Sequence, residues 1–174
     1  SRVIGAPTDN KIGTLSIWFK RGLLGTLQSF LIGTSDDASR LYLTSSGTDD
    51  QITIYDSAGG GISLTAANEF RDPTAWMHLV MAVDTTQGTA ANRCRIYING
   101  VEAAVTSAWG LNMVWGFNTS GKTVYIGKQG GQSRTWDGYL ADYIFVDGQQ
   151  LTSSSFGRTS ADTAAWVHKD YAGT

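Results

Sequence analysis

Cysteine is almost absent from this sequence, because the 174 residues include only Cys94. A single thiol excludes an internal disulfide framework and a cysteine-based zinc site. Glutamate is also scarce, at Glu69 and Glu102, and lysine occurs only five times. Helices draw heavily on glutamate and lysine, whereas strands draw on valine, isoleucine, threonine and aromatic residues. The composition therefore predicts an all-β protein.

Excess charge and long apolar runs are missing as well, and this narrows the range of partners. The formal net charge is −2, so the chain has no large basic field that would neutralise nucleic-acid phosphates. No apolar run reaches the roughly 18 residues that a membrane-spanning helix requires. The sequence therefore argues against nucleic-acid binding and against membrane insertion.

Alternating apolar and polar residues, typical of half-buried strands, recur about every 8–12 residues, the spacing of a sandwich or barrel. In RCRIYI the alternation places Cys94, Ile96 and Ile98 on one face, which is expected to point inward. The strands predicted in this way are 14–20, 29–32, 41–44, 51–55, 62–64, 76–83, 93–98, 101–105, 124–126 and 139–146.

Turn residues and irregular segments separate these strands. The pair Asn99-Gly100 is the strongest short signal for a type I′ hairpin. Single helical turns are expected at residues 152–156 and 161–165. Residues 106–121 (TSAWGLNMVWGFNTSG) show no alternation, and irregular loops of such length are often functional.

Several short motifs follow one another in an order that resembles a known family. The chain contains LSIWFKRG, AWMHLVMAVDTT, RIYINGV, YIG and WDGYLADYIFVDGQQL. This order resembles the laminin-G-like branch of the concanavalin A-like lectin/glucanase superfamily. The positions that carry the resemblance are Trp18, residues 76–80, residues 97–100, Ile126-Gly127 and residues 138–142.

The longer run from FRDPTAW to SSSFG is similar to laminin-G-like domains in virion proteins of tailed bacteriophages. In those domains SSSFG is followed by a stretch like WVHKDYAGT, residues 166–174 here. The resemblance implies a two-sheet antiparallel jelly-roll sandwich, and the strand pattern agrees with that fold. It also implies that residues 1–174 form one laminin-G-like domain, a piece of a longer virion protein.

Catalytic residues are not apparent in the sequence. Glycoside hydrolases of the retaining type need two carboxylates about 5–5.5 Å apart. Glu69 and Glu102 are distant in sequence, and neither belongs to a Glu-x-Asp-x-x-Glu run. A serine triad is unsupported, because His78 lies in an apolar strand and no Gly-x-Ser-x-Gly elbow is present. We expect a protein that is not an enzyme, with a β-glucan hydrolase as the disfavoured alternative.

Calcium is the cofactor that the resemblance implies, since many relatives of this fold bind one such ion at the sheet edge. Calcium takes six to eight oxygen ligands, and no ligand set can be derived from the spacing of the acidic residues. The densest supply of carboxylates, should the two loops converge, is Asp36, Asp37, Asp49 and Asp50. Other aspartates fall at strand ends, where turn support is the alternative role.

The six tryptophans divide according to their predicted surroundings. Trp18 and Trp76 lie in strong predicted strands and are expected in the core. Trp166 is expected to pack the C-terminal segment onto the rest of the protein. Trp136 precedes the last predicted strand and belongs either to the rim or to the core.

The predicted ligand-binding residues are Trp109, Trp115 and Asn118 in the irregular segment, together with Trp136. Aromatic rings stack on sugar faces, and amide groups fix sugar hydroxyls. Two alternatives stay open at this point. Trp115 or Phe117 fills one end of the sandwich, or the rings are buried in a subunit interface.

The leading functional hypothesis is a non-catalytic recognition domain of a phage virion protein, a tail fibre or a head appendage. Such a domain binds host cell-surface carbohydrate. The alternative is a structural or decoration domain that holds virion subunits together. Both roles are expected to involve a homo-oligomer, since closed homo-oligomers are the common case.

Overall fold

The regular secondary structure of the described residues is almost entirely β-strand. The computed structural model describes residues 1–22, 24, 30–43, 50–57, 62–105, 108–131 and 134–173. None of the helices within these ranges is long and apolar enough to cross a membrane. The strands are β1 (Arg2–Val3), β2 (Ile12–Arg21), β3 (Phe30–Thr34), β4 (Ser39–Leu43), β5 (Gln51–Asp56), β6 (Ile62–Glu69), β7 (Met77–Asp84), β8 (Cys94–Ile98), β9 (Val101–Ala103), β10 (Thr123–Ile126), β11 (Gly138–Asp147), β12 (Gly157–Thr159) and β13 (Trp166–His168). Short 3-10 helices are Ala90–Asn92, Gly116–Asn118 and Ser153–Ser155.

Two antiparallel sheets pack into a sandwich. The six-stranded sheet has the order β1-β10-β3-β4-β5-β6, and the five-stranded sheet has the order β11-β2-β7-β8-β9. Strands β12 and β13 pair with each other as a separate hairpin. The predicted all-β, two-sheet antiparallel sandwich is confirmed.

Every predicted strand overlaps an observed strand, and the differences concern the short elements. The helical turn predicted near the C-terminus is present at Ser153–Ser155. At residues 161–165 the chain forms a single hydrogen-bonded turn between β12 and β13, in which the Ala164 amide donates to the Ser160 oxygen at 3.0 Å and Ala164 has a φ of 56°, and it does not extend into a helix. Strands of two or three residues, such as β1 and β12, are too short for alternation to reveal.

The core lies between the two sheets and follows the alternation along each strand. Leu15, Ile17 and Phe19 of β2 are completely buried. The same alternation turns Cys94 and Ile96 of β8 inward, as predicted. Burial raises the pKa of the Cys94 thiol, which makes it an inert apolar group rather than a nucleophile.

The irregular segment after β9 folds back into the core. Trp109 is 1% exposed and Trp115 is 0% exposed. The Trp115 ring stacks on Phe145 with 5.3 Å between centroids, and its edge meets Phe117 at 6.1 Å. The structure therefore corrects the expectation of a sugar platform at Trp109 and Trp115, because neither ring has a face open to solvent. The arrangement observed is the alternative, in which these rings fill the sandwich.

Two further candidate residues are also structural in this conformation. Asn118 is 1% exposed, and its Nδ2 donates to the backbone oxygens of Asp9 at 3.0 Å and Ile12 at 3.2 Å and to Asp147 Oδ1 at 2.7 Å. Trp136 is half-buried, with its ring perpendicular to that of Phe19 at 5.7 Å. Asn118 therefore ties the N-terminal segment and β2 to β11, and Trp136 packs against the edge of the core.

The C-terminal segment adds a third layer on the outer face of the five-stranded sheet. Thr14 Oγ1 donates to the Gln149 backbone oxygen at 2.7 Å and accepts from the Leu151 amide at 2.8 Å, so the segment is bonded to β2. Behind that contact lies a second apolar cluster, formed by Val80, Ala82, Tyr97, Val146 and Phe156 with Ile144, Leu151 and Tyr171 packed against it. Both faces of the five-stranded sheet are therefore partly covered.

The different burial of the tryptophans leads to a stability prediction. Trp115→Ala is expected to lower the free energy of unfolding by about 3–5 kcal/mol, because it leaves a cavity in the core. The matched change Trp76→Ala, at a ring that is 43% exposed, is expected to cost about 1 kcal/mol or less. Urea unfolding followed by circular dichroism measures both values. Equal losses would contradict this assignment of core and surface.

Candidate functional site

The aspartates predicted to bind calcium do not come together. Asp36 and Asp37 lie in the turn between β3 and β4, whereas Asp50 immediately precedes β5. Because β4 and β5 are antiparallel, with Ser39 opposite Asp56 and Leu43 opposite Ile52, these positions lie at opposite ends of the strand pair. Asp49 lies outside the described residues.

Cationic side chains already contact these carboxylates. Asp36 pairs with Lys122 at 3.0 Å, and Asp37 pairs with Arg40 at 2.9 Å. Asp50 bonds to Arg21 and, at 3.2 Å, to Arg71. Among the residues that the structure describes, no three His, Cys, Asp or Glu side chains are grouped as metal ligands would be. The structure therefore corrects the expectation of a four-aspartate site.

The buried carboxylate of Asp50 has a stabilising role instead. Burial alone would raise its pKa, but the hydrogen bonds and charges of Arg21 and Arg71 lower it below the ordinary value. Arg21 is 2% exposed, and it also donates to the Phe70 backbone oxygen at 2.5 Å. The ion pair fixes the chain entering β5 against the end of β2, and it offers no open coordination position.

A group of exposed aromatic side chains lies instead on the outer face of the five-stranded sheet. On one side of Lys20 in β2, its partner in β11 is Tyr139. On the other side, Phe19 pairs with Met77 of β7, so the preceding residue of that strand, Trp76, lies next to Lys20. Trp76 is 43% exposed and Tyr139 is 66% exposed. Their ring centroids are 6.4 Å apart. Two aromatic rings therefore face solvent at the same end of this sheet.

Trp76, next to Tyr139, borders a shallow surface pocket of about 350 Å³. The hairpin β12–β13 forms one side of it, and the five-stranded sheet forms its floor. The lining residues are Trp18, Trp76, Ala141, Asp142, Trp166, Val167 and His168. We refer to these residues together with Tyr139 as the aromatic shelf. Its size lies within the range of small-ligand sites.

Three nearly parallel rings form a stack at the shelf, and two of them, Trp18 and Trp166, belong to its lining. The Trp18 and His78 centroids are 4.7 Å apart with 16° between the planes, and those of His78 and Trp166 are 6.1 Å apart with 21°. Trp166 Nε1 donates to His78 Nδ1 at 2.9 Å, and His78 Nε2 lies 2.8 Å from Ser16 Oγ. The hairpin is therefore held on the sheet by a stack and a hydrogen bond.

The hydrogen bonds of His78 also define its protonation. An indole N–H can only donate, so Nδ1 of His78 carries no proton and Nε2 donates to Ser16. Burial, with a smaller contribution from His168, lowers the pKa of His78 from 6.5 to about 4. A general base would need Nε2 to accept the serine proton, so the Ser16–His78 pair has the opposite polarity to that of a hydrolytic triad.

A bulge in β11 directs a carboxylate to the edge of the shelf. The pairing of β11 with β2 shifts between Ala141 and Ile144, and Asp142 has a φ of 48°. His168 Nε2 lies 3.5 Å from Asp142 Oδ2, and both side chains are roughly half exposed. Bulges commonly re-aim a side chain next to a functional site. The shelf thus combines exposed rings with one polar pair.

Two of the residues on this surface lie elsewhere than predicted from the sequence. Trp76 was expected in the core, but it precedes β7 and is exposed. Trp18 is buried as expected, yet it lies beneath the C-terminal hairpin rather than between the sheets. The alternation contained the signal: Ile17, Phe19 and Met77 point inward, so Trp18 and Trp76 must point outward. Trp166 packs the C-terminal segment onto the sheet, as predicted.

A family model, Laminin_G_3, described as concanavalin A-like lectin/glucanases superfamily, matches residues 4–155. The chain belongs to this superfamily. No curated protein matches the sequence of this superfamily member.

Solved structures share the fold of this superfamily domain. Domain 4 of AbnA, an extracellular GH43 arabinanase from Geobacillus stearothermophilus in complex with arabinotriose, has a TM-score of 0.62 at 18% identity. A putative carbohydrate binding protein from Bacteroides ovatus has a TM-score of 0.61 at 18% identity. A sialidase from Trypanosoma rangeli has a TM-score of 0.53 at 17% identity.

The overlap with these neighbours is one-sided. The matches cover 86%, 82% and 83% of this chain, but 67%, 40% and 22% of the respective neighbours. In the sialidase the similar region is thus a minor part of a larger enzyme. At such low identity the comparison shows the lectin-like fold, and the position of a ligand has to be argued from this chain's own residues.

The low pKa of His78 leads to a prediction about pH. The unfolded chain takes up a proton at His78 near pH 6.5, whereas the folded chain does so only near pH 4. The contribution of neutral His78 to stability is therefore fully present above pH 6.5. The free energy of unfolding falls by about 2–3 kcal/mol as the pH is lowered to 4.5. Urea unfolding at each pH measures this loss, and His78→Gln is expected to remove most of it.

The control for this experiment is His168→Gln, which should keep most of the pH dependence because burial, and not His168, is the larger cause of the low pKa of His78. Aspartates whose pKa is lowered by folding, such as Asp50, contribute to the loss mainly below about pH 4.5. A wild-type protein with constant stability between pH 6.5 and 4.5 would show that His78 is not held neutral.

Proposed function

We propose that this domain is a non-catalytic recognition module that binds host cell-surface carbohydrate on the aromatic shelf. The observation that supports this most strongly is the exposure of Trp76 and Tyr139 beside the Asp142–His168 pair. Large aromatic rings are usually buried, so two exposed rings at one pocket suggest a ligand surface. The superfamily and its neighbours, one in complex with arabinotriose, support a sugar as that ligand.

The chemistry of the shelf suits a sugar. The apolar faces of pyranose or furanose rings stack on indole and phenol rings, while carboxylate and imidazole groups bond hydroxyls. Asp142 is the one carboxylate among the lining residues, whereas calcium takes six to eight oxygens. We therefore expect binding on the shelf to be independent of calcium.

The proposed setting of the domain is the surface of a tailed-bacteriophage virion, on a tail fibre or a head appendage. Its support is the order of motifs from FRDPTAW to WVHKDYAGT, which is similar to that of virion laminin-G-like domains. Recognition of a repetitive cell surface favours several copies of a site, since avidity can add two to four orders of magnitude. A homo-oligomer would supply those copies.

A structural or decoration role is the second candidate. Exposed tryptophan and tyrosine side chains also anchor subunit interfaces, so Trp76 and Tyr139 suit a contact with other virion subunits. The two roles differ in what covers the shelf. A glycan leaves it open in the free assembly, whereas a subunit contact buries it there.

The test is a glycan array probed with the domain in multivalent form, with calcium and with a chelator. We expect a saccharide hit that survives chelation. Trp76→Ala should weaken it by about tenfold or more, because a stacked ring loses its buried area. Tyr139→Ala should weaken it less, and Trp76→Phe should retain part of the affinity. Analytical ultracentrifugation of the same variants reports assembly.

The matched control is Leu111→Ala, since Leu111 is 53% exposed and lies in the irregular segment after β9. It should leave binding unchanged. No saccharide hit, combined with loss of assembly in Trp76→Ala, would favour the structural role. Binding that depends on Leu111 and not on Trp76 would contradict the shelf as the site.

A further inference from the structure

A second surface, on the opposite side of the molecule, combines tyrosines with basic side chains. Tyr125, Gly33, Arg40 and Tyr55 are successive partners across β10, β3, β4 and β5. The residues next to them in these strands, such as Val124 and Ser39, are buried. The row of partners therefore lies on the outer face of the six-stranded sheet.

The glycine in this row makes room for a loop. A Cβ on Gly33 would lie 3.0–3.2 Å from backbone atoms of Lys128, Gln129 and Gly130. The backbone after β10 therefore crosses the sheet directly above Gly33. This crossing places the Lys128 ammonium over the Tyr125 ring, with 5.5 Å from Nζ to the centroid.

The same loop fixes the second cation through a buried amide. Gln129 is 3% exposed, and its Nε2 donates to both carboxylate oxygens of Asp37, at 2.8 and 2.7 Å. Asp37 in turn accepts from Arg40 Nη1 at 2.9 Å. The Arg40 guanidinium lies over the Tyr55 ring at 4.2 Å, with the Tyr42 ring at 5.8 Å.

Arg40 is thus held in place on one edge and stacked on one face. Within the described residues, Arg40 donates both of its hydrogen bonds from Nη1, one to the backbone oxygen and one to the carboxylate of Asp37. The Nε–Nη2 edge is the side of the fork that matches a carboxylate bidentately. A guanidinium positioned in advance loses less conformational entropy when it binds an anion.

We propose that this row is a second binding site, separate from the aromatic shelf, for a carboxylate-bearing saccharide such as a hexuronate. The carboxylate binds the Nε–Nη2 edge of Arg40, and the sugar ring lies against the Tyr42 ring of the same strand, beside the loop that crosses above Gly33. Lys128, which belongs to that loop, adds a second positive charge on the same face of the sheet. The Tyr42 and Tyr55 rings next to the cation favour a saccharide over a free inorganic anion.

Titration calorimetry with an oligogalacturonate tests this site, with the methyl ester of the same oligosaccharide as the neutral probe. We expect the acid to bind and the ester to bind at least about tenfold more weakly, as for the loss of a charged hydrogen bond. Arg40→Gln should reduce affinity for the acid to that of the ester. Arg40→Lys should be intermediate, because it keeps the charge and loses the fork.

Lys128→Gln, at an exposed side chain that folding does not require, should weaken binding several-fold and reduce its dependence on salt. Trp76→Ala should leave this affinity unchanged, which separates the site from the shelf. Equal binding of acid and ester, or acid binding unaffected by Arg40→Gln in a folded variant, would overturn the proposal. Binding of inorganic phosphate at millimolar concentration, lost in Arg40→Gln, without binding of the acid would overturn the assignment to a saccharide.

Discussion

The hydrogen bond from the Trp166 indole to Nδ1 of His78 is the interaction on which the outer layer depends. It joins the C-terminal hairpin to the centre of the five-stranded sheet, at a residue that is completely buried. Gly100 and Gly157 both face the Trp166 ring so closely that a Cβ on either would lie within about 2.5 Å of it. The position of this ring therefore determines one wall of the shelf, and it requires a neutral His78.

The tryptophans differ in function because the chain covers some faces of the sandwich and not others. Trp115 is enclosed between the sheets, and Trp18 is enclosed between a sheet and the hairpin. Trp76 is not enclosed in this way and is 43% exposed, so part of its ring is open to solvent. Burial by the chain's own segments, rather than residue type, decides which rings can meet a ligand.

The strands and the inward face of β8 could be predicted because alternation is a local signal. The burial of the rings in the irregular segment could not, since that of Trp115, for example, depends on contacts with Gly13 and Phe145, which are distant in sequence. The shelf was missed for a related reason. It needs the register of β2, β7 and β11 together with a hairpin of three-residue strands that has no alternation. The exposure of Trp76 could have been predicted, because it precedes the inward-pointing Met77 and therefore points outward.

We propose that a sugar binds on the outer face of the five-stranded sheet and not on the irregular segment. A two-dimensional NMR titration of the six indole N–H signals with a saccharide that binds distinguishes the two surfaces. We expect a large shift for Trp76, smaller shifts for Trp18 and Trp166, and constant signals for Trp109 and Trp115. Shifts confined to Trp109 and Trp115 would contradict it.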